Sequence, residues 1–216
     1  MLFKLVDHSS IANQFIAELR DVDVQRDRMR FRRNAERLGQ IFAYEISKTF
    51  TYQKEERETP LGIAEVAIPK DRIVLASILR AGLTVHQGML GILDDADNAF
   101  ISAYRKHHKD GTFEINLEYA TCPDLQDSVL ILIDSMVATG ASMEATLKVL
   151  EKHGKPKQIH VVSIIASVDG VNYLKRIFPK VKVWVGDLDD ELTAKSYIVP
   201  GIGDAGDLLF GEKLQE

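Results

Sequence analysis

The chain has 216 residues, 45% hydrophobic and 27% charged, enough to bury a sizeable core, and its length favours a single domain over residues 1–216. Its formal net charge of -5 is the wrong sign for a chain whose general business is binding nucleic acid. No apolar run reaches the roughly 18 residues of a membrane-spanning helix, Lys4, Asp7, Glu18 and Arg20 interrupt anything like a secretion signal, and the single Cys122 leaves no intrachain disulfide, so a reducing cytoplasm is expected.

From the N-terminus, Ser9 or Ser10 can cap a helix carrying Ile11, Phe15, Ile16 and Leu19 on one side. Phe31, Ala35, Leu38, Phe42 and Ile46 recur at spacings of three and four and predict a second, so the first fifty residues read as helix. Arg26, Arg28, Arg30, Arg32, Arg33 and Arg37 crowd this region. A nucleic-acid face is one reading of them, but a solvated or subunit-facing helix fits the acidic chain better. From residue 72 the pattern changes to short apolar strands, at 72–79, 99–105, 128–134, 158–167 and 180–185, alternating with helices at about 82–92, 141–153 and 170–178. This alternation predicts an α/β fold, a mainly parallel sheet flanked by helices. The near-continuous Val/Ile/Leu runs in several strands predict that both sheet faces are covered. Phe113, Ile115, Leu117 and Tyr119 alternate strictly with polar or small residues, which predicts an antiparallel hairpin arm with its turn at 106–111, able to cover a site or a neighbouring subunit. No repeat, low-complexity tract or linker divides the chain.

Three segments can carry chemistry. The strand around Val129 to Ile133 ends in Asp134 and is followed by Ser135, Met136, Val137, Ala138, Thr139, Gly140, Ala141 and Ser142 at the start of a helix. Small residues let the backbone approach closely, helix-start amides point outward, and Thr139 and Ser142 add hydroxyls, so the segment can cradle an anion while Asp134 accepts hydrogen bonds from sugar hydroxyls. It is not a Walker A loop, because no lysine follows the glycine. Alone, the string fits equally an ordinary strand–turn–helix junction in which Thr and Ser cap the helix. In the second segment, Ser77 to Leu83, the guanidinium of Arg80 can grip a diphosphate with two parallel hydrogen bonds, or can simply close a salt bridge at a strand end. The third, Tyr197 to Asp207, satisfies the G-x-G-x-x-G spacing at Gly201, Gly203 and Gly206 but does not open the βαβ unit that a dinucleotide site requires. It reads as a glycine-rich loop able to offer its own amides and carbonyls to a ligand. His107 and His108 read as a solvated turn, and Asp187, Asp189, Asp190 and Glu191 as a solvated loop without the ligand order of an EF-hand.

The strings ILRAGL, ILIDSMVATGAS and YIVPGIGDAGD, in this order, resemble the diphosphate loop, the phosphoribosyl diphosphate (PRPP) motif and the base-binding signature of the uracil phosphoribosyltransferases, a branch of the type I phosphoribosyltransferase superfamily. That branch has a single acid followed two residues later by methionine, as at Asp134 and Met136, and a Tyr-Arg pair before a hairpin, as at Tyr104 and Arg105. The resemblance covers roughly residues 25–211. It implies transfer of the phosphoribosyl group of PRPP to uracil, giving UMP and diphosphate, with Asp134, Arg80 and Arg105 as the catalytic set. PRPP would lie on residues 134–142, Arg80, Arg105 and Asp204, and uracil against Ile198, Gly203, Asp204 and Ala205. Magnesium is expected to be held mainly through PRPP, without a dedicated protein site, and a homodimer or higher homo-oligomer is expected. The chain departs from the family pattern at Ser135 (usually proline), Ala141 (glycine), Thr193 (asparagine), Ser196 (glycine) and Leu208 (basic), and Lys106 to Asp110 replaces an acidic run. Two other readings stay open at this point: a PRPP- or UMP-sensing regulator on the same fold, and a transferase for another base.

Overall fold

The computed structural model describes residues 1–107 and 113–212, with backbone alone for 103–107 and 113–118. Its main sheet contains β1 (Leu2–Lys4), β4 (Ile73–Leu79), β5 (Asp97–His107), β6 (Phe113–Thr121), β7 (Val129–Ile133), β8 (Met136–Val137), β9 (Gln158–Ser167) and β10 (Lys182–Asp189). The order is β1-β10-β9-β7-β4-β5-β6, with β8 continuing beside β9. All neighbours are parallel except β5 and β6. Two short antiparallel pairs stand apart: β2 (Tyr52–Thr59) with β3 (Gly62–Pro69), and β11 (Glu191–Leu192) with β12 (Ile198–Val199).

Because side chains alternate along a strand, each buried strand supplies both layers of the core. Val129, Ile131 and Ile133 join one apolar cluster while Leu130 and Leu132 join the other. The first cluster is closed by α1 (Ile11–Arg20), α2 (Arg28–Ser47), α3 (Gly82–Leu90) and α6 (Ala205–Phe210); the second by α4 (Ala141–Leu150) and α5 (Val168–Ile177). The predicted stripe Phe31, Ala35, Leu38, Phe42 and Ile46 is wholly buried on α2. On α1 the capping serine is Ser10, whose hydroxyl accepts from Ala12 N at 3.3 Å. There the buried stripe is Ala12, Ile16 and Leu19, while Ile11 faces solvent.

Four expectations need correction. The N-terminal region does not begin as helix: β1 adds a parallel edge strand to β10, and three residues are too few for any period to be legible. The strand expected at 180–185 runs to Asp189, so Asp187 and Asp189 are strand residues and not part of a solvated loop. The strand expected at 99–105 extends from Asp97 to His107, which places Lys106 and His107 in β5; His108 and the rest of the proposed turn lie outside the described residues. The hairpin arm itself is present, as the antiparallel β5–β6 pair. Finally, β2 and β3 went unread. The Lys-Glu-Glu-Arg-Glu stretch of β2 lacks the apolar alternation of a half-buried strand, and the apolar residues of β3 do not alternate strictly.

Candidate functional site

In the sheet order, β5 lies on one side of β4 and β7 on the other, so the chain reverses its direction of winding at β4. A crevice opens outside the carboxyl ends of the strands at such a switch point, and ligands of open α/β sheets bind there. The segments that leave β4 and β7 there, 80–81 with the α3 start at Gly82 and 134–140, belong to two of the three segments singled out above.

Gly82 brings the two loops together. A β-carbon on it would stand 2.6 Å from Ile133 O and 3.3 Å from Asp134 Cα, so the backbone after Arg80 can lie against Asp134 only if residue 82 has no side chain. Asp134 anchors its own amide on Val162 O at 3.1 Å, and its Oδ1 accepts from Ser135 N at 2.7 Å. A proline at position 135 would have no such donor, so the departure at Ser135 supplies the acid with a hydrogen bond. The Ser135 side chain points into the core, 1% exposed, and its Oγ has no hydrogen-bond partner among the described residues. Val137 is also buried, so Ser135 and Val137 can offer a ligand only main-chain groups.

The cradle follows. Gly140 caps α4 with φ 81°, in the left-handed region, without a side-chain cap, which leaves the α4 start available to an anion. Thr139 Oγ1 accepts weakly from Ala141 N at 3.4 Å, and Ala141, Ser142 and Met136 are partly buried beside it. The loop is braced from behind by α5. Ser167 Oγ donates to Ala138 O at 2.5 Å and accepts from Gly170 N at 2.9 Å, and a β-carbon at Gly170 would stand 2.2 Å from Ala138 O.

The third segment comes to the same place from the far end of the chain. Arg80 Nη2 pairs with Asp207 Oδ1 at 3.1 Å, and Nη1 donates to Gly211 O at 3.3 Å, so the β4 loop touches the C-terminal loop. Asp204 caps α6 by accepting from Asp207 N at 3.1 Å. Ile198 and Ala205 are buried in the first core layer, so Ala205 faces the loop surface only through its backbone. Gly203 has φ 79°, and a β-carbon there meets only Leu208 Cδ1, at 3.7 Å. It borders an open cleft with Gln25, Arg26, Arg28, Asp204 and Asp207 among its walls. Arg105 lies on β5, two residues before the strand's end.

Sequence reading missed the residues that hold this loop. Arg20 binds Asp187, Asp189 and Gly201 O, Gln25 Nε2 donates to Ile202 O at 3.1 Å, and Arg32 donates to Leu209 O at 2.8 Å. Burial opposes the charge of Arg20, and the hydrogen bonds it donates to Asp189 and Asp187 outweigh that, raising its pKa. Nothing local in the sequence marks these as partners. They also answer the arginine-rich region: Arg30 pairs with Glu18, Arg33 with Glu36, Arg37 with Asn34, and Arg32 with the C-terminal loop, so much of that charge is engaged within the chain.

A mainly parallel sheet flanked by helices, with its loops gathered at this switch point, places the chain among the open-sheet α/β proteins. The pattern of the family described as Uracil phosphoribosyltransferase matches residues 6–212. The chain is 52% identical over 206 residues to the uracil phosphoribosyltransferase of Porphyromonas gingivalis, covering 95% of each, and 37% identical over 205 residues to that of Pyrococcus furiosus, covering 94% of this chain and 87% of the other. It also superimposes on a solved protein of Aquifex aeolicus with a TM-score of 0.88 at 28% identity, over 100% of both chains. The chain belongs to the uracil phosphoribosyltransferase family.

Proposed function

We propose that this protein, acting as one domain, transfers the phosphoribosyl group of PRPP to uracil, releasing diphosphate and forming UMP. The observation that carries the reading is the convergence of three distant segments: Gly82 against Ile133 and Asp134, and Arg80 against Asp207. In this reading the 5-phosphate takes the α4 start at residues 138–142, the ribose hydroxyls bond to Asp134, and the diphosphate lies on Arg80 and Arg105. Asp204 stands between PRPP and the base, and the main chain from Ile198 to Ala205 reads uracil. Arg80 must then exchange the Asp207 carboxylate for diphosphate oxygens, which a planar guanidinium can grip in pairs. Attack by the base nitrogen at the anomeric carbon develops positive charge on the ribose and negative charge on the leaving diphosphate, so the protein's share is positioning and charge stabilisation, without a nucleophilic side chain. Magnesium would be held mainly by the hard oxygens of PRPP itself, without a dedicated protein site, and would neutralise charge on the diphosphate.

Homo-oligomerisation belongs to the same proposal. It is supported by the β2–β3 ribbon, which among the described residues pairs only with itself and exposes Leu61 fully and Ile63 to 72%. An isolated two-stranded ribbon has little stability of its own. A cytoplasmic location suits Cys122, whose thiol burial pushes up to about 11 and so keeps unreactive.

The test is formation of UMP from radiolabelled uracil with PRPP and magnesium. Cytosine should be turned over about a hundredfold less efficiently or worse, since it presents the wrong polarity at O4 and N3 to fixed main-chain groups. Binding of PRPP or UMP without turnover would replace the enzyme by a sensor, and efficient use of cytosine or hypoxanthine would overturn the assignment of the base.

A further inference from the structure

The polar atoms of Gly201 are both held by one ion pair. Its N–H donates to Asp189 Oδ2 at 2.9 Å, and its carbonyl accepts from Arg20 Nη1 at 3.0 Å. Arg20 and Asp189 are themselves joined two-prong, Nη1 to Oδ2 at 2.9 Å and Nη2 to Oδ1 at 2.8 Å, and Nη2 also reaches Asp187 Oδ2 at 2.8 Å. Asp189 is only 6% exposed, so these are charge-assisted bonds largely shielded from water. Gly201 has φ 60°, and a β-carbon on it would stand 2.3 Å from Ile198 O, so the backbone doubles back tightly here. Gln25 Nε2 fixes the next carbonyl, Ile202 O, while also donating to Leu19 O at 2.5 Å. The main chain of 201–202 is therefore clamped at three atoms by side chains from α1, the turn after it and the end of β10.

We propose that Arg20 and Asp189 are positioning residues that set uracil affinity by fixing the main chain of the base loop. This rests on the reading of residues 198–205 as the base site. The 5-phosphate cradle has a separate brace, Ser167 and Gly170 behind Ala138, so loosening the clamp acts chiefly on the base and reaches PRPP only through Asp204. A loop that recognises its ligand through backbone groups has no side chain with which to compensate for a shift, and a misplacement of about 1 Å costs roughly a hundredfold in comparable sites.

The experiment is a KM comparison of Arg20→Lys, Arg20→Ala, Asp189→Asn and Asp187→Asn, with hydrogen exchange of the 198–207 segment measured on each. Lysine cannot span Asp187, Asp189 and Gly201 O together, so Arg20→Lys should raise the uracil KM about tenfold, with the PRPP KM within about twofold of wild type, and Arg20→Ala should do worse. Asp189→Asn should resemble Arg20→Lys. Asp187→Asn weakens the same ion pair without touching Gly201 and should lower the melting temperature more than it changes either KM. Exchange in 198–207 should quicken in Arg20→Lys and Asp189→Asn only. Unchanged uracil KM and unchanged exchange in Arg20→Lys would overturn the proposal, as would an equal rise in both KMs or an effect of Asp187→Asn as large as that of Asp189→Asn. If wild type fails to use uracil, the functional reading falls by itself, and the clamp is still judged by loop exchange.

Discussion

Asp134, the proposed partner of the ribose hydroxyls, directly follows a buried strand and has one carboxylate oxygen steadied by the Ser135 amide. Asp134→Asn keeps the shape and removes the charge. It should reduce kcat/KM for PRPP by about ten- to a hundredfold, the equivalent of roughly 1.5 to 3 kcal/mol for a charge-assisted hydrogen bond, with the melting temperature nearly unchanged. Wild-type kcat/KM in that variant would remove the ribose from Asp134. The neighbouring Ser135 illustrates how far residue type alone can be read. Its place in the motif was legible, but whether it offers a ligand its hydroxyl or only its backbone depends on which way the chain turns between β7 and β8. The hydroxyl turns inward, beside β9.

Among elements, the cradle depends on contact between two helix starts. Gly140 combines a left-handed φ of 81° with a β-carbon position 3.0 Å from the Tyr173 ring and 3.1 Å from Gly170 O. Gly140→Ala should therefore destabilise the protein by about 1 to 3 kcal/mol, through backbone strain and displacement of α5. Urea denaturation would detect this, and a variant as stable as wild type would show that the loop has room for a side chain at residue 140. At the turn between β11 and β12, Thr193 Oγ1 accepts from Tyr197 N at 3.1 Å, and Ser196 adopts φ 61°, the conformation that favours the glycine of the family pattern. The two departures thus sit in a turn that still closes. Buried strands and the long α2 were legible because each repeats one local rule over many residues. The β2–β3 ribbon was not, since β2 is charged and the apolar residues of β3 keep no strict alternation.

For the whole molecule, acid should be the weak side. His160 is fully buried between β7 and β10, where its Nδ1 accepts from Trp184 Nε1 at 2.9 Å, and burial, with a smaller contribution from Lys182, lowers its pKa from 6.5 to about 3. The unfolded chain thus binds a proton that the folded chain refuses, so stability is full above about pH 6.5 and declines as pH falls toward 3. His86, depressed by burial, adds in the same direction. Glu18, held well below the usual carboxylate range by Arg30, Gln14 and Asn34, adds a further loss as pH falls below about 4.5. Denaturation midpoints at pH 7.5, 5.5 and 4 should fall in that order, with Trp184 emission following the loss of its acceptor, and a midpoint independent of pH would contradict the buried neutral imidazole. At the same scale, Ile63→Asp on the exposed ribbon should shift the sedimentation of an oligomer toward monomer. A wild-type protein that sediments as a monomer at micromolar concentration would remove the ribbon's proposed role.

By itself the sequence determined the covered parallel sheet, the helix that lines it and the three strings that carry the family likeness, because hydrophobic periods and loop motifs are set by residues within a few positions of one another. Tertiary structure alone decided how those strings meet. Arg80 and Asp207 are 127 residues apart in the chain, and Arg20 and Gly201 are 181 apart. No local pattern encodes such pairings. They follow from strand order: once β4 and β7 are neighbours and β10 stands beside β9, the loops at their carboxyl ends have no other place to go, and the polar side chains of α1 and α2 become the supports of a C-terminal loop that the sequence leaves nearly two hundred residues away.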